Sequence, residues 1–251
     1  MFDKTAQYYD KIYAFKDYAA ETECLAALVR QRLPSGSERL LDVACGSGHH
    51  IEYLKAHFDV EGLDINETLL DIARQRNPGV AFHLADMIEF DLGYRFDVVT
   101  CLFSSIGYVR TLENLGRAVA SMANHVKPGG LLIIEPWFTP DAWRPNTVHG
   151  VFIDESELKI ARVNTSFARG RISYFDMHYL IGTPERTEHV VERHELGLFT
   201  REEMQTAFLR AGLQVSYDPE GLMGRGLYVG QYPADKTPDL APARQEFPGG
   251  E

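Results

Sequence analysis

Between Arg39 and Trp137 the chain repeats one pattern, a short apolar run followed by a segment with helical spacing. RLLDVACGSG (39–48) predicts a buried strand running into a glycine-containing turn, and HHIEYLKAHF (49–58) a helix. VEGLDI (60–65), VAFHLAD (80–86), RFDVVTCLFSS (95–105) and LLIIEPW (131–137) predict four further strands. ETLLDIARQR (67–76) and NLGRAVASMANHV (114–126) predict helices, closed by Asn77-Pro78 and by Lys127-Pro128-Gly129-Gly130. Apolar strands alternating with helices point to an α/β fold, with a parallel sheet covered on both faces and right-handed crossovers.

The flanks follow other rules. Residues 16–33 carry apolar positions Leu25, Leu28 and Val29 at helical spacing, so residues 1–34 form an expected helical lid, rich in aromatics at its start. After Trp137 the period changes to two. In ISYFDMHYLI (172–181), Phe175, Met177, Tyr179 and Ile181 share one face, and Tyr174, Asp176 and His178 the other. Residues 137–199 are therefore expected as an antiparallel insert of three or four strands, set between the fifth strand and the last helix. Helical spacing returns at REEMQTAFLRAG (201–212) behind the N-cap residue Thr200. LQVSYD (213–218) and GLYVGQY (226–232) predict a closing hairpin, so that 35–136 and 200–232 make one core. Residues 233–251 hold four prolines and little apolar content, and are expected to be disordered.

Charge narrows the partners. Against 25 Lys and Arg stand 36 Asp and Glu, a net charge of −11. Such a chain is a poor match for nucleic acid or an anionic membrane. The start, MFDKTAQYYDKIY, lacks the apolar stretch of a secretion signal, and no apolar run is long enough to span a bilayer. Cys24, Cys45 and Cys101 show no paired spacing, so neither a disulfide framework nor a zinc site is expected, and a cytoplasmic location fits.

Three signals lie at the carboxyl ends of consecutive strands, where open α/β sheets bind ligands. The first is Asp42-Val-Ala44-Cys-Gly46-Ser-Gly48, whose glycines let backbone approach a ligand closely. The second is Asp64, beside Ile65 and 22 residues after Asp42, an acid placed to take both hydroxyls of a ribose. The third is Asp86-Met87, a carboxylate for an adenine amino group and a thioether for its ring. A dinucleotide turn would need a third glycine, but His49, His50 and Ile51 follow Gly48. Asp42 would also repel a pyrophosphate, while suiting the amino group of a ligand's amino-acid part. The turn therefore reads as a site for adenosine without phosphate. Turn geometry and capping alone remain the alternative use of these residues.

The ordered set resembles the class I S-adenosylmethionine-dependent methyltransferases, with a Rossmann-like sheet of seven strands whose last strand is antiparallel. YDKIYAFKDYAAE, CLFSSIGY, IEPWF, MHYLI, LGLFTREEM and GRGLYVG further resemble the TDP-amino-sugar N,N-dimethyltransferases of macrolide deoxysugar pathways, over residues 8–232. That resemblance implies a metal-independent enzyme methylating the amine of a TDP-linked 3-amino deoxyhexose. It implies that Tyr13 and Tyr18 close over the cofactor, a cation–π arrangement beside a sulfonium. It places Tyr108 where some relatives carry a histidine proposed as a base, and Arg225 near the nucleotide phosphates.

Direct in-line displacement by a neutral amine needs positioning and a place for a proton. Candidates to accept it are Tyr108, Glu135 and His178, each with a structural alternative: pocket wall, loop cap and satisfied polar residue. Trp137, with Phe138 and Trp143, can stack on the substrate or bury the root of the insert. The insert can line the site or join two copies as a homodimer. His49-His50 is a weak metal signal, because adjacent helical residues point apart. Competing functions are methylation of another small amine or peptide N-terminus, non-catalytic binding of S-adenosylmethionine, and nucleic-acid methylation. Against the last, FSSI stands where such enzymes carry a [ND]PP[YF] sequence.

Overall fold

The computed structural model describes residues 5–34, 36, 39–222 and 224–235. The expected disorder of 233–251 thus falls, from residue 236 onward, outside the described residues. A 3-10 turn at Ala6–Tyr8 leads into the short helix α1 (Tyr9–Ile12) and then α2 (Tyr18–Arg32). α2 begins where Asp17 accepts a hydrogen bond from the Ala20 N–H at 3.0 Å. It stops before Leu33-Pro34, as the residue ahead of a proline is pushed out of helical geometry. Leu25 and Val29 are buried against the sheet, so this helix belongs to the core as well as to the N-terminal segment.

The strands β1 (Arg39–Val43), β2 (Asp59–Asp64), β3 (Phe82–Leu84), β4 (Phe96–Cys101) and β5 (Val126–Ile134) are mutually parallel. Helices α3 (His49–Leu54), α4 (Glu67–Arg76) and α5 (Leu112–Asn124) connect them. After the insert come α6 (Arg201–Arg210), β10 (Gln214–Asp218) and β11 (Leu227–Gln231). The seven-stranded sheet has the order β10-β11-β5-β4-β1-β2-β3, with β11 antiparallel to both of its neighbours. Alternation divides the core. Leu40, Val98, Leu131 and Ile133 face α2 and α3, whereas Leu41, Val99, Leu132 and Ile134 face α5 and α6. Strand order reverses between β1 and β4, which opens a crevice at their carboxyl ends.

Several boundaries differ from the sequence reading, those of β3 and β5 among them. β3 is limited to Phe82–Leu84, and β5 starts at Val126 rather than Leu131. The strand passes through Pro128-Gly129-Gly130 by a register shift opposite Phe96 and Val98. A Cβ on Gly130 would stand 2.6 Å from the Asp97 carbonyl oxygen, so this close crossing needs glycine.

The insert is a four-stranded antiparallel sheet: β6 (Val148–Asp154), β7 (Lys159–Arg169), β8 (Ile172–Gly182) and β9 (Thr187–Gly197). On β8, Phe175, Met177, Tyr179 and Ile181 are buried while His178 and Leu180 are exposed. Its buried face packs with Tyr13, Tyr108 and Trp137 and closes the crevice from above.

Candidate active site

The glycine turn is wound by three left-handed residues, Ala44 (φ 60°), Gly46 (φ 55°) and Gly48 (φ 74°). A Cβ on Gly48 would meet Asn77 Nδ2 at 2.8 Å and Ala73 Cβ at 3.0 Å, so glycine lets α4 seat against the turn. A Cβ on Gly46 would meet nothing within 4 Å, and this residue lines the cavity. Asp64, 7% exposed, accepts the Gly46 N–H on Oδ2 and the Asn66 N–H on Oδ1, both at 2.8 Å. Desolvation pushes its carboxyl up despite those bonds. Asp42 accepts from Thr100 Oγ1 at 2.8 Å, and burial pushes it up to about 6. Ile65, Asp86 and Met87 line the same cavity, with Asp86 Oδ1 accepting the Ile88 N–H at 2.9 Å.

That cavity measures about 750 Å³ and runs from the turn to the buried face of the insert. Tyr9 and Tyr13 border it, their rings 4.6 Å apart, and Tyr13 meets Phe103 edge-on at 5.4 Å. A smaller recess joins it at the turn, walled by Tyr18, Asp42, Ala44, Gly46, His49 and His50. Tyr18 stacks on His49 at 4.7 Å, and its buried hydroxyl has no partner among the described residues. His49 and His50 bond separate carboxylates, Asp10 and Glu21, each at 2.9 Å. Lys16, also buried, ion-pairs with Glu21.

At the far end Trp137 has a place both in the cavity wall and at the root of the insert. It lines the cavity, and its Nε1 donates to Ser173 Oγ at 2.9 Å, anchoring the insert. Arg225 also lines the cavity. Its Nη1 donates to Ser104 Oγ at 3.0 Å, and its guanidinium lies 5.4 Å from the ring centres of both Trp137 and Phe138. Tyr108 Oη lies 2.8 Å from Nδ1 of His194, a residue 1% exposed whose pKa burial lowers to about 4. Glu135 is fully buried. Its Oε2 accepts the Phe103 N–H at 2.7 Å, while Oε1 has no hydrogen-bond partner among the described residues. Burial raises its pKa.

His178 does not join this group. Alternation along β8 turns it outward, where Nδ1 lies 3.2 Å from His189 Nε2, away from the cavity lining. The histidine that meets Tyr108 is His194, on the inward face of β9, where the sequence reading placed no candidate. Its signal was there in the period-two pattern of ERHELG, but naming its partner required the strand pairing.

Comparison with known proteins then sets this geometry among relatives. Residues 40–130 match the family model described as a methyltransferase domain. The chain is 42% identical over 229 residues to the dTDP-3-amino-3,6-dideoxy-alpha-D-glucopyranose N,N-dimethyltransferase of Streptomyces fradiae, covering 90% of this chain and 89% of that one. It is 40% identical to the dTDP-4-amino-2,3,4,6-tetradeoxy-D-glucose N,N-dimethyltransferase of Saccharopolyspora spinosa, over 90% and 91%. The S-adenosylmethionine-bound structure of CalS10, an amino pentose methyltransferase from Micromonospora echinaspora, superimposes with a TM-score of 0.82. There the identity is 38%, covering 89% of this chain and 95% of that one. The chain belongs to the S-adenosylmethionine-dependent sugar N-methyltransferase family.

The methyltransferase's residues fit this cofactor. Both Asp64 oxygens are held by backbone N–H groups, those of Gly46, Ile65 and Asn66, which fixes a carboxylate suited to ribose hydroxyls. The bare Gly46 leaves room for the chain of the ligand. The unpartnered Tyr18 hydroxyl suits a carboxylate, and Asp42 in the same recess suits an ammonium. Tyr9 lines both the cavity and the recess, while Glu21, paired with Lys16, stands behind the recess wall and holds His50. Reading the sequence alone did not single them out, because Lys16 and Glu21 act only through burial beside His50.

Proposed function

We propose that this methyltransferase methylates the amino group of a TDP-linked amino deoxysugar in the cytoplasm. The observation that carries the reading is the extent of the likeness. Identity of 42% runs over 229 residues, so it spans the acceptor half of the site as well as the glycine turn. The cavity supports it, with an aromatic wall for a ring and an arginine for a phosphate group. No helix among the described residues is long and apolar enough to cross a membrane.

When bound, S-adenosylmethionine supplies an electrophilic methyl group on a sulfonium. The protein's own work is to hold a neutral amine with its lone pair aimed along that bond. Tyr108 is the group for this task. Burial keeps His194 neutral at pH 7, and in its Nε2–H tautomer Nδ1 accepts the Tyr108 O–H. The phenol oxygen then presents lone pairs to an amine N–H, and the proton of the ammonium formed by the transfer passes to solvent water before a second transfer. A primary or secondary amine has such a hydrogen and a tertiary amine has none, which supports two transfers and then arrest. Glu135 lies behind Phe103, outside the cavity lining. Its charge offsets Lys16 and Arg225, which makes it a supporting group rather than the proton acceptor. The aromatic rings around Tyr13 exclude water from the transfer.

Mass spectrometry of reactions with S-adenosylmethionine and TDP-3-amino- or TDP-4-amino-deoxyhexose tests the reading. Mono- and dimethylated sugar nucleotide is expected. No product from either sugar, with cofactor binding intact in the same sample, rejects the acceptor.

A further inference from the structure

The buried face of β8 is apolar, with Phe175, Met177 and Tyr179 in succession. Its neighbour β7 is not. Three successive inward positions there, Arg162, Asn164 and Ser166, are polar, buried and part of the cavity wall. Arg162 is only 8% exposed, yet its Nε and Nη1 have no hydrogen-bond partner among the described residues. Glu192, a buried carboxylate on the adjoining inward face, bonds the N–H and Oγ1 of Thr5 at 3.3 and 2.6 Å. The Arg162 guanidinium hydrogen-bonds the Tyr13 side chain and packs 5.4 Å from its ring centre, which leaves Nε and Nη1 unspent. Burying a guanidinium with two donors unspent is costly. Arg225 differs, because it has no buried donor without a partner among the described residues.

We propose that Arg162 grips the diphosphate of the acceptor, its two unspent donors, Nε and Nη1, which point in different directions in the guanidinium plane, each taking a phosphate oxygen, with Asn164 and Ser166 bonding the adjoining sugar. This rests on the sugar-nucleotide reading above. A planar guanidinium holds donors in several fixed directions, so that one side chain can reach oxygens of both phosphates, which the compact ammonium of a lysine cannot do. Alternate strand residues stand about 6.6 Å apart, so the three side chains form a rail about 13 Å long beside the ligand.

Calorimetric titration of TDP, and separately of thymidine, into the full chain saturated with S-adenosylhomocysteine tests this. Wild type should bind TDP more tightly than thymidine. Arg162→Lys should lose about tenfold or more in TDP affinity, Arg162→Gln more still, with thymidine binding unchanged. TDP affinity within about twofold of wild type in both variants, under the same tenfold expectation, overturns the role of Arg162 and leaves the acceptor reading intact. Wild type binding TDP no better than thymidine overturns both. S-adenosylhomocysteine affinity, measured on each variant, certifies the fold. If Arg162→Gln fails it, Arg162→Lys decides, since that variant keeps the charge and loses only the planar set of donors.

Discussion

The two halves of the cavity are built in different ways. The end at the glycine turn uses backbone: left-handed turn residues, strand ends, and a carboxylate holding backbone N–H groups. Asp42, Gly46, Asp64 and Asp86 come from three successive βα steps, so each lies where the parallel sheet must put it. The end under the insert uses side chains from distant segments: Tyr13, Tyr108, Trp137 and Arg225, with His194 behind Tyr108. A site made of backbone tolerates change around it and fails when one of its few carboxylates goes. A site made of converging side chains spreads its work, so that single losses are graded.

The largest expected effect breaks the first half. Asp64→Ala should weaken S-adenosylmethionine binding roughly 100-fold, since two charge-assisted hydrogen bonds are lost. Calorimetry should find TDP binding little changed. Next, Tyr108→Phe should lower kcat roughly 10- to 100-fold with little change in cofactor affinity. His194→Phe should reproduce most of that loss, and the double variant should cost far less than the product of the two, because they act as one unit. Full additivity would separate them. Arg225→Ala should raise KM for the sugar nucleotide about fivefold with kcat nearly intact, the remaining grip lying elsewhere in the wall.

The smallest effect concerns stability. Asp42 ionises at about 6 when folded, against 3.8 ordinarily, so the folded chain holds a proton that the unfolded chain releases between those values. Stability of the ligand-free protein should therefore fall as pH rises from about 4 to about 6, and stay lower above, by at most about 3 kcal/mol. Asp42→Asn should raise the ligand-free Tm at pH 7.5 by several degrees, at about 2–4 °C per kcal/mol, and leave it nearly unchanged at pH 4. The same variant should bind S-adenosylmethionine less well. A Tm shift equal at both pH values would show that Asp42 is not strained by its burial.

Much of this was legible in the residues. α4 spans Glu67–Arg76 as its spacing and Asn77-Pro78 predicted, and Thr200 begins α6 with a capping box to Glu203. The glycine turn and its acids read directly, because their chemistry is local and the sheet topology follows from the βα alternation. β5 was harder, since Pro128-Gly129-Gly130 signals a break in any single chain and becomes strand only by pairing across a register shift with β4. His178 and His194 show the same limit. Both sit in alternating strands, and only the packing of the insert on the crevice decides which face looks inward.

The sequence by itself determined the α/β core, the place of the glycine turn and its acids, and the antiparallel insert, because periodicity and turn chemistry act over a few residues. Only the tertiary structure decided which histidine meets Tyr108, that Trp137 both anchors the insert and lines the cavity, and that Arg162 is buried with two donors unspent. Those facts depend on contacts between segments tens of residues apart. Such contacts exist only once both apolar faces have chosen what to bury against.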